Sequence, residues 1–387
     1  MIKDRFNCLT AIHLACIGPL IYSFLLKWQR LSLPQAPIIL VLLIFCCICM
    51  VLLALFWSTT AYIFNEERSV ILMLLMFGLA LVNTTSSVLF MPYMSIFHPS
   101  YLTAYFIGMS FSALLPSIVS IIQGAGDECI YMNGSAIRER ITPLFGVEEY
   151  NLIMLAWLLI ATVSFILLNW TRLGAESSAA SNNTSTETNL PVDESVLLPH
   201  QGLNIGVFKK TMVSKRLRYI ILLLMMAFIN AQMNGIIPSI QSFATLPYSQ
   251  ATYRFGLTLA NIAASLACFL PLFLSTKSLG VISLLNVIAS IFTAVIVVLA
   301  AMSPTPILKY SIWGQVLSVG VAVGSSLFLS YLRTLITTLV RDGGKDEKSR
   351  LFWCGVAIQI GSFIGSCIMF PLVNLLNLFE SAPLCAN

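Results

Sequence analysis

The chain has 387 residues, of which 58% are hydrophobic and only 10% are charged. Soluble domains carry roughly 25% charged residues, so this composition excludes an ordinary soluble protein and predicts a polytopic membrane protein. The formal net charge of +5 does not by itself indicate nucleic-acid binding, because its meaning depends on which loops carry it.

Windows of about 20 apolar residues predict the membrane-spanning helices. The sequence has ten such windows and lacks the short alternating strands of a membrane barrel. We therefore predict an all-α fold, a polytopic membrane helical bundle of about ten transmembrane helices in two halves. The predicted spans are 8–26, 37–57, 70–91, 101–123, 150–170, 218–238, 253–275, 279–302, 310–332 and 352–375.

A polar segment divides these helices into two groups of five. Residues 171–217 are rich in Ser, Asn, Thr and Glu up to about Asn189 and end in the basic cluster KKTMVSKRLR. Such a segment buries too little apolar surface to fold, so we predict a disordered linker. The two halves are then residues 1–170 and 218–387.

The basic residues predict the orientation of the bundle. With the amino terminus outside, 13 loop Lys and Arg residues, Arg341 among them, lie in the cytosol and 7 lie outside, as the positive-inside rule requires. The linker is then cytosolic, and the carboxyl terminus and loop 124–149 are extracellular. This loop carries a glycosylation sequon at Asn133. Cys129 and Cys385 share the oxidising side, where they either pair or remain free thiols.

Polar side chains interrupt two of the predicted helices. In a bilayer such groups must face other helices or a wet cavity. Near the end of the sixth predicted helix, Asn234-Gly235 precedes Pro238, a pattern typical of the broken helices where carriers bind their solutes. The third predicted helix has five in a row: Asn83, Thr84, Thr85, Ser86 and Ser87.

We predict that amides and hydroxyls from several helices line one substrate path. Each also has a structural interpretation, because Ser and Thr often bond their own helix and Asn or Gln often bridges helices. The predicted substrate-binding residues are Asn83, Ser86, Ser87, Gln123, Asn234, Gln241 and Asn261. The candidates for stacking on a flat ring are Phe90, Tyr93, Tyr105 and Tyr253. Small residues at Gly320-x3-Gly324 and Gly361-x3-Gly365 predict close-packing seams.

No catalytic constellation is visible in the sequence. Paired carboxylates, a histidine cluster and a nucleophile with its base are all missing at predicted membrane depth, so we predict neither an enzyme nor a metal or cofactor site. Missing intramembrane carboxylates also disfavour a proton or sodium relay. The pattern favours a carrier for a neutral solute with polar and aromatic parts.

The chain resembles the eukaryotic riboflavin transporters in four segments: LALVNTTSSVLFMPYMS, SFSALLPSIVSIIQGAG, NGIIPSIQSFATLPYS and LFWCGVAIQIGSFIGSCIMFPLVN. The resemblance implies a plasma-membrane carrier that takes up riboflavin, independently of sodium, by facilitated alternating access between two halves. It also implies eleven helices, so a first helix is expected to be missing here. His13 and Cys16 replace two amides of the family pattern, and Thr305 replaces a cysteine.

Two alternatives remain open at this stage. The carried solute could be another flat neutral molecule, such as a nucleoside, because the polar set does not distinguish the two. The chain could also be a truncated, non-transporting membrane partner or receptor. The expected partners are riboflavin and the lipid bilayer, with no nucleic acid.

Overall fold

Nine helices are long and apolar enough to cross a membrane in the part of the chain that the structure describes. The structure is a computed structural model that describes residues 35–63, 66–97, 99–124, 126–132, 135–184, 205–343 and 346–381. The prediction of an all-α polytopic bundle is confirmed, and nine of the ten predicted spans each overlap one of these helices. The remaining predicted span, 8–26, lies outside the described residues.

The helices follow from the long apolar runs, because a bilayer offers the backbone no water and each segment must satisfy its own polar groups. A π-helical segment, Ala231–Ile236, joins α5 to α6 without a break. The elements are α1 Gln35–Phe56, β1 Ala61–Ile63, β2 Glu66–Arg68, α2 Val70–Met94, α3 Pro99–Gln123, β3 Gly126–Met132, β4 Ser135–Ile141, α4 Val147–Thr184, α5 Ile205–Asn230, α6 Ile237–Thr245, α7 Gln250–Ala267, α8 Leu270–Phe273, α9 Leu279–Ala301, α10 Ile312–Asp342 and α11 Glu347–Asn374.

Two short antiparallel hairpins lie between helices, where the sequence had indicated only loops. In the first hairpin, β1 and β2 pair Ala61 with Arg68. In the second, the pairing of β3 with β4 runs from Gly126 opposite Ile141 to Met132 opposite Ser135. The dipeptide Asn133-Gly134 is a strong hairpin signal, although we had interpreted it only as part of a sequon. The proposed glycosylation at Asn133 and the pairing of Cys129 with Cys385 fall on residues or side chains outside the described part.

The prediction of a disordered linker over 171–217 is wrong at both of its ends. Helix α4 continues to Thr184, and α5 begins at Ile205. The first extension contains Leu, Ala and Glu, which are good helix formers, beside Gly, Ser and Asn, which are poorer ones, so the apolar run alone does not mark the end of this helix. Residues 185–204 lie outside the described part.

The two halves meet mainly along two helix pairs, and α3 also contacts α10. The first half, α1–α4, packs α1 against α2 and α4, while the second half, α5–α11, packs α10 against α7 and α9. Between the halves, α2 contacts α11 and α3 contacts α7. Fully buried side chains on both sides, such as Phe106 and Leu332, belong to one hydrophobic core.

The closest helix packing in the second half occurs at small residues. A Cβ atom on Gly361 would collide with the carbonyl oxygen of Ala227, and one on Gly365 with that of Ala231. A Cβ on Gly235 would lie 2.7 Å from the Cα of Gly365. The predicted seam at Gly361-x3-Gly365 is therefore confirmed, and its partner surface is the α5–π–α6 helix.

The other predicted seam exists at only one of its two glycines. A Cβ on Gly324 would lie 2.9 Å from the ring of Phe292, whereas a Cβ on Gly320 would meet nothing within 4 Å. The small-residue pattern alone did not distinguish these two sites, because it does not show which face of α10 meets a neighbour.

Candidate functional site

Polar side chains gather at the middle of the membrane-spanning helices. The rise of an α-helix is about 1.5 Å per residue, so residues within four positions of a span's midpoint lie within about 6 Å of its centre along the axis. We call the polar side chains that meet this criterion the mid-depth layer. Its members include Asn83, Asn230, Gln232, Asn234, Asn261, Asn286, Ser290, Gln359 and Ser362.

Asn234 links the π-helical segment to α11. Its Nδ2 donates to the Oγ of Ser362 at 2.9 Å and to the Oδ1 of Asn230 at 3.4 Å. Ser362 in turn donates to the carbonyl of Ile358, and Asn230 donates to the carbonyl of Met226. The Asn234 side chain is itself exposed, so an amide held by two partners is presented at the protein surface at mid-depth.

The helix break predicted near Asn234-Gly235 is observed as a π-helical segment rather than as a helix end. Helix α6 continues from it to Thr245, and Pro238 lies in the first turn of α6, where its missing N–H is tolerated. Single π turns inside α-helices occur frequently at functional sites. The position of the helix irregularity was predicted correctly, but the prediction that the helix ends there was wrong.

Three buried amide oxygens of the mid-depth layer have no hydrogen-bond partner among the described residues. They are the Oε1 of Gln232, the Oδ1 of Asn286 and the Oε1 of Gln359. Gln232 does use its Nε2, which donates to the Oγ of Ser290 at 3.1 Å. An unmet buried acceptor costs about 1–3 kcal/mol, so a donor that reached any of these oxygens would stabilise it. None of the three had been selected as a binding residue.

Asn261 connects the two halves at the same depth. Its Nδ2 donates to the Oγ of Ser117 at 2.7 Å and to the carbonyl of Ala113 at 3.3 Å. Both acceptors are on α3 and Asn261 is on α7, so this amide joins the first half to the second.

The polar row in α2 is formed by residues 83–87, and most of its hydroxyls donate hydrogen bonds to backbone carbonyls of the same helix. Thr84 donates to the carbonyl of Ala80, Thr85 to that of Leu81, and Ser86 to that of Asn83. The side chain of Asn83 is exposed, and that of Ser87 lies outside the described part. Asn83 is therefore better placed than Ser86 to meet a solute.

Gln123 and Gln241 differ in what surrounds them. Gln123 is buried at the end of α3, and its Nε2 donates to the carbonyls of Phe145 and Gly146 at 3.1 and 3.2 Å. These bonds hold the chain that enters α4. Gln241 is half-buried on α6, two turns beyond Asn234 toward the end of the span.

We expect Gln123→Leu to lower the thermal stability of the purified protein without changing the KM of the solute transport that the sequence predicts. The substitution removes both bonds to the loop carbonyls, which corresponds to a loss of about 1–3 kcal/mol. A thermal-shift assay and uptake kinetics would separate the two effects. A raised KM at unchanged stability would instead place Gln123 in the solute path.

Three of the four aromatic residues predicted to stack on a ligand pack together in the first half. The rings of Phe90 and Tyr105 are stacked with centroids 5.9 Å apart. Tyr93 packs on Phe165 and donates its hydroxyl to the Oδ1 of Asn169. Tyr253 lies apart from them, half-buried in the first turn of α7. The first three rings thus belong to a core cluster.

A cavity of about 630 Å³, widely open to the surface, lies at one end of the bundle. It is located where α2 ends and α11 begins, and none of the predicted binding residues lines it. The structure therefore places the predicted amides at one depth but does not enclose them in this cavity. The lining residues are Gln35, Pro92, Ser95, Asp346, Glu347, Lys348, Ser349 and Phe352.

The comparison with known proteins identifies the family. A family model described as solute carrier family 52, riboflavin transporter, matches residues 8–381. Riboflavin transporter rft-1 of Caenorhabditis elegans is 40% identical, over 97% of this chain and 88% of its own length. Riboflavin transporter rft-2 of the same organism is 39% identical, over 97% of this chain and 89% of its own length.

A vertebrate relative extends the same match. The human solute carrier family 52, riboflavin transporter, member 3 is 31% identical, over 97% of this chain and 89% of its own length. These matches confirm the resemblance carried by the four segments and the prediction of a carrier rather than an enzyme. The chain belongs to solute carrier family 52, the riboflavin transporters.

Proposed function

We propose that this chain carries riboflavin across the plasma membrane by facilitated alternating access. The observation that carries the proposal is the set of three unpartnered amide oxygens on Gln232, Asn286 and Gln359. Riboflavin is neutral and combines a flat tricyclic ring with a polyhydroxyl tail. Its hydroxyl and imide N–H groups are donors that match these acceptors without burying a charge.

The mid-depth layer supplies groups from both halves. Asn83 belongs to the first half, whereas Asn234 and the three unpartnered acceptors belong to the second. Substrate sites near the membrane midplane, beside irregular helices, are a recurring arrangement in carriers. A solute bound by both halves can be released to either side when one half moves against the other.

We further infer that transport is independent of sodium. The polar groups that the structure describes at mid-depth are uncharged amides and hydroxyls. A coupling ion is usually bound by carboxylates or by backbone oxygens of unwound helices. The described mid-depth layer offers amide oxygens, which suit a hydrogen-bonding solute better than a cation.

The charges at the two ends of the bundle support a cytosolic position for the end that carries Arg341. Arg218 donates to the carbonyl of Lys277, which places the start of the apolar span of α5 and the turn before α9 at one end, together with Arg341 and Arg350. Among the residues that the structure describes, the opposite end carries fewer basic side chains. The positive-inside rule therefore assigns the end that carries Arg341 to the cytosol. The carboxyl terminus is then extracellular.

Uptake of labelled riboflavin by cells that express the chain tests the proposal. We expect saturable uptake that is unchanged when sodium is replaced by choline and is reduced by unlabelled riboflavin. Excess nucleoside should leave it unchanged. Uptake that competes with nucleosides instead would identify a different flat solute, and surface-expressed protein without uptake would contradict the carrier function.

A further inference from the structure

Arg341 is a buried cation that contacts both halves of the protein. It lies in the last turn of α10 and is only 4% exposed. Its Nη2 donates to the carbonyl of Phe97 at 2.7 Å, in the turn between α2 and α3 of the first half. Its Nε pairs with the Oε2 of Glu347 at 3.2 Å, in the first turn of α11 of the second half.

The cavity of about 630 Å³ lies directly beside this contact. Glu347 lines it, and so do Ser95 of the first half and Phe352 of the second. The cavity is therefore a space between the two halves at the same end of the bundle. Along α2, the distance from Asn83 to Pro92 at the edge of the cavity is about nine residues, or roughly 14 Å of helix.

Further contacts between the halves continue along α3 toward mid-depth. Arg333 of α10 lies 5.5 Å above the ring of Phe106, and Ser110 is 3.3 Å from the sulfur of Cys268. With the bond between Asn261 and Ser117, these contacts join the halves at successive depths. Arg341 forms the last of the series, at the level of the cavity.

We propose that Arg341 is the positioning residue of an inner gate, which holds the cytosolic ends of the two halves together until the solute is released. This role rests on the proposed transport function. A hydrogen bond to a backbone carbonyl beside an open cavity can be exchanged for water when the halves separate. Glu347 then keeps the guanidinium of Arg341 bound to the second half, so the hydrogen bond to the carbonyl of Phe97 can form again.

An arginine at the end of a membrane helix would ordinarily extend its charge into water. Arg341 instead remains buried and directs one side of its guanidinium at the opposite half. The planar fork allows it to contact the carbonyl and the carboxylate at the same time, which a lysine ammonium does less well. This geometry favours a contact between moving parts over a simple topology signal.

Thiol labelling without riboflavin tests the gate. A reporter, Ser86→Cys, is placed in the half-buried part of α2 near mid-depth, and a membrane-impermeant maleimide is applied to inside-out vesicles. The chain without the reporter corrects for the native cysteines. We expect Arg341→Gln to raise the labelling rate of the reporter by about tenfold, because it shifts the population toward the inward-open state.

Arg350→Gln is the matched control. Arg350 lies at the same end, but it donates to the carbonyl of Val340 at 2.6 Å and stacks 4.4 Å above the ring of Tyr219. Both partners are in the second half, so its loss should leave labelling near the parent rate. Equal labelling in the Arg341→Gln variant and the parent, or an equal rise in both variants, would overturn the gate.

A second variant keeps the test decisive if Arg341→Gln does not reach the membrane. Glu347→Gln removes the carboxylate but keeps the bond to Phe97, so we expect a smaller rise in labelling in the same direction. An unchanged rate would contradict the proposal. Because labelling requires no solute, a chain with the expected labelling but without riboflavin uptake would contradict the proposed substrate and not the gate.

Discussion

Replacing Gly361 with alanine is expected to remove most of the folded protein from the membrane. The new Cβ would overlap the carbonyl oxygen of Ala227, which belongs to helical backbone and cannot rotate away. Helices α5 and α11 would have to separate along the seam that also holds Gly365 against Ala231. Overpacking that forces the backbone to move costs about 1–3 kcal/mol and occasionally more, and a direct overlap with a carbonyl oxygen belongs to the upper end of this range.

Gly320→Ala provides the matched control, because its Cβ would meet nothing within 4 Å. It should be neutral or raise stability by up to about 1 kcal/mol, since alanine is the better helix former. Surface expression and the thermal midpoint of the detergent-solubilised protein measure both variants. Equal behaviour of the two would show that α11 does not pack on α5 at Gly361.

The membrane helices were predictable because hydropathy and backbone satisfaction act locally. An apolar run such as 279–302 must be helical in lipid, and the observed α9, Leu279–Ala301, agrees with it closely. The extensions of α4 and α5 were missed because helix propensity continues beyond the hydrocarbon region, where hydropathy no longer indicates it. The hairpin of β3 and β4 was missed because its Asn-Gly signal was assigned to another role.

The candidate site was predictable in composition and depth but not in its contacts. Asn83, Asn234 and Asn261 stand out because amides are rare in membrane spans. Arg341 was counted only as a cytosolic charge, because its partner Phe97 is 244 residues away in the sequence. Likewise, only the packed structure shows that no donor among the described residues reaches the Oε1 of Gln359.

Asn234→Leu is expected to reduce riboflavin uptake at least tenfold, about the effect of losing 1–1.5 kcal/mol or more from one or two hydrogen bonds. The substitution removes the amide that Ser362 and Asn230 hold at mid-depth. It also leaves the buried Oδ1 of Asn230 without the donor that it has now. Initial uptake rates, normalised to surface protein, measure the effect, and a rise in KM would show that solute binding is affected.

Thr85→Val separates this effect from a general sensitivity of the polar helices. Thr85 donates to the carbonyl of Leu81 in its own helix at 2.7 Å, and valine preserves its shape, so uptake should stay within about twofold of the parent. Ser362→Ala should reduce riboflavin uptake by less than Asn234→Leu does, because it removes only one of the two hydrogen-bond partners of the Asn234 amide. Normal uptake by Asn234→Leu would exclude Asn234 as a riboflavin contact, since the amide presented there would then have no function in transport.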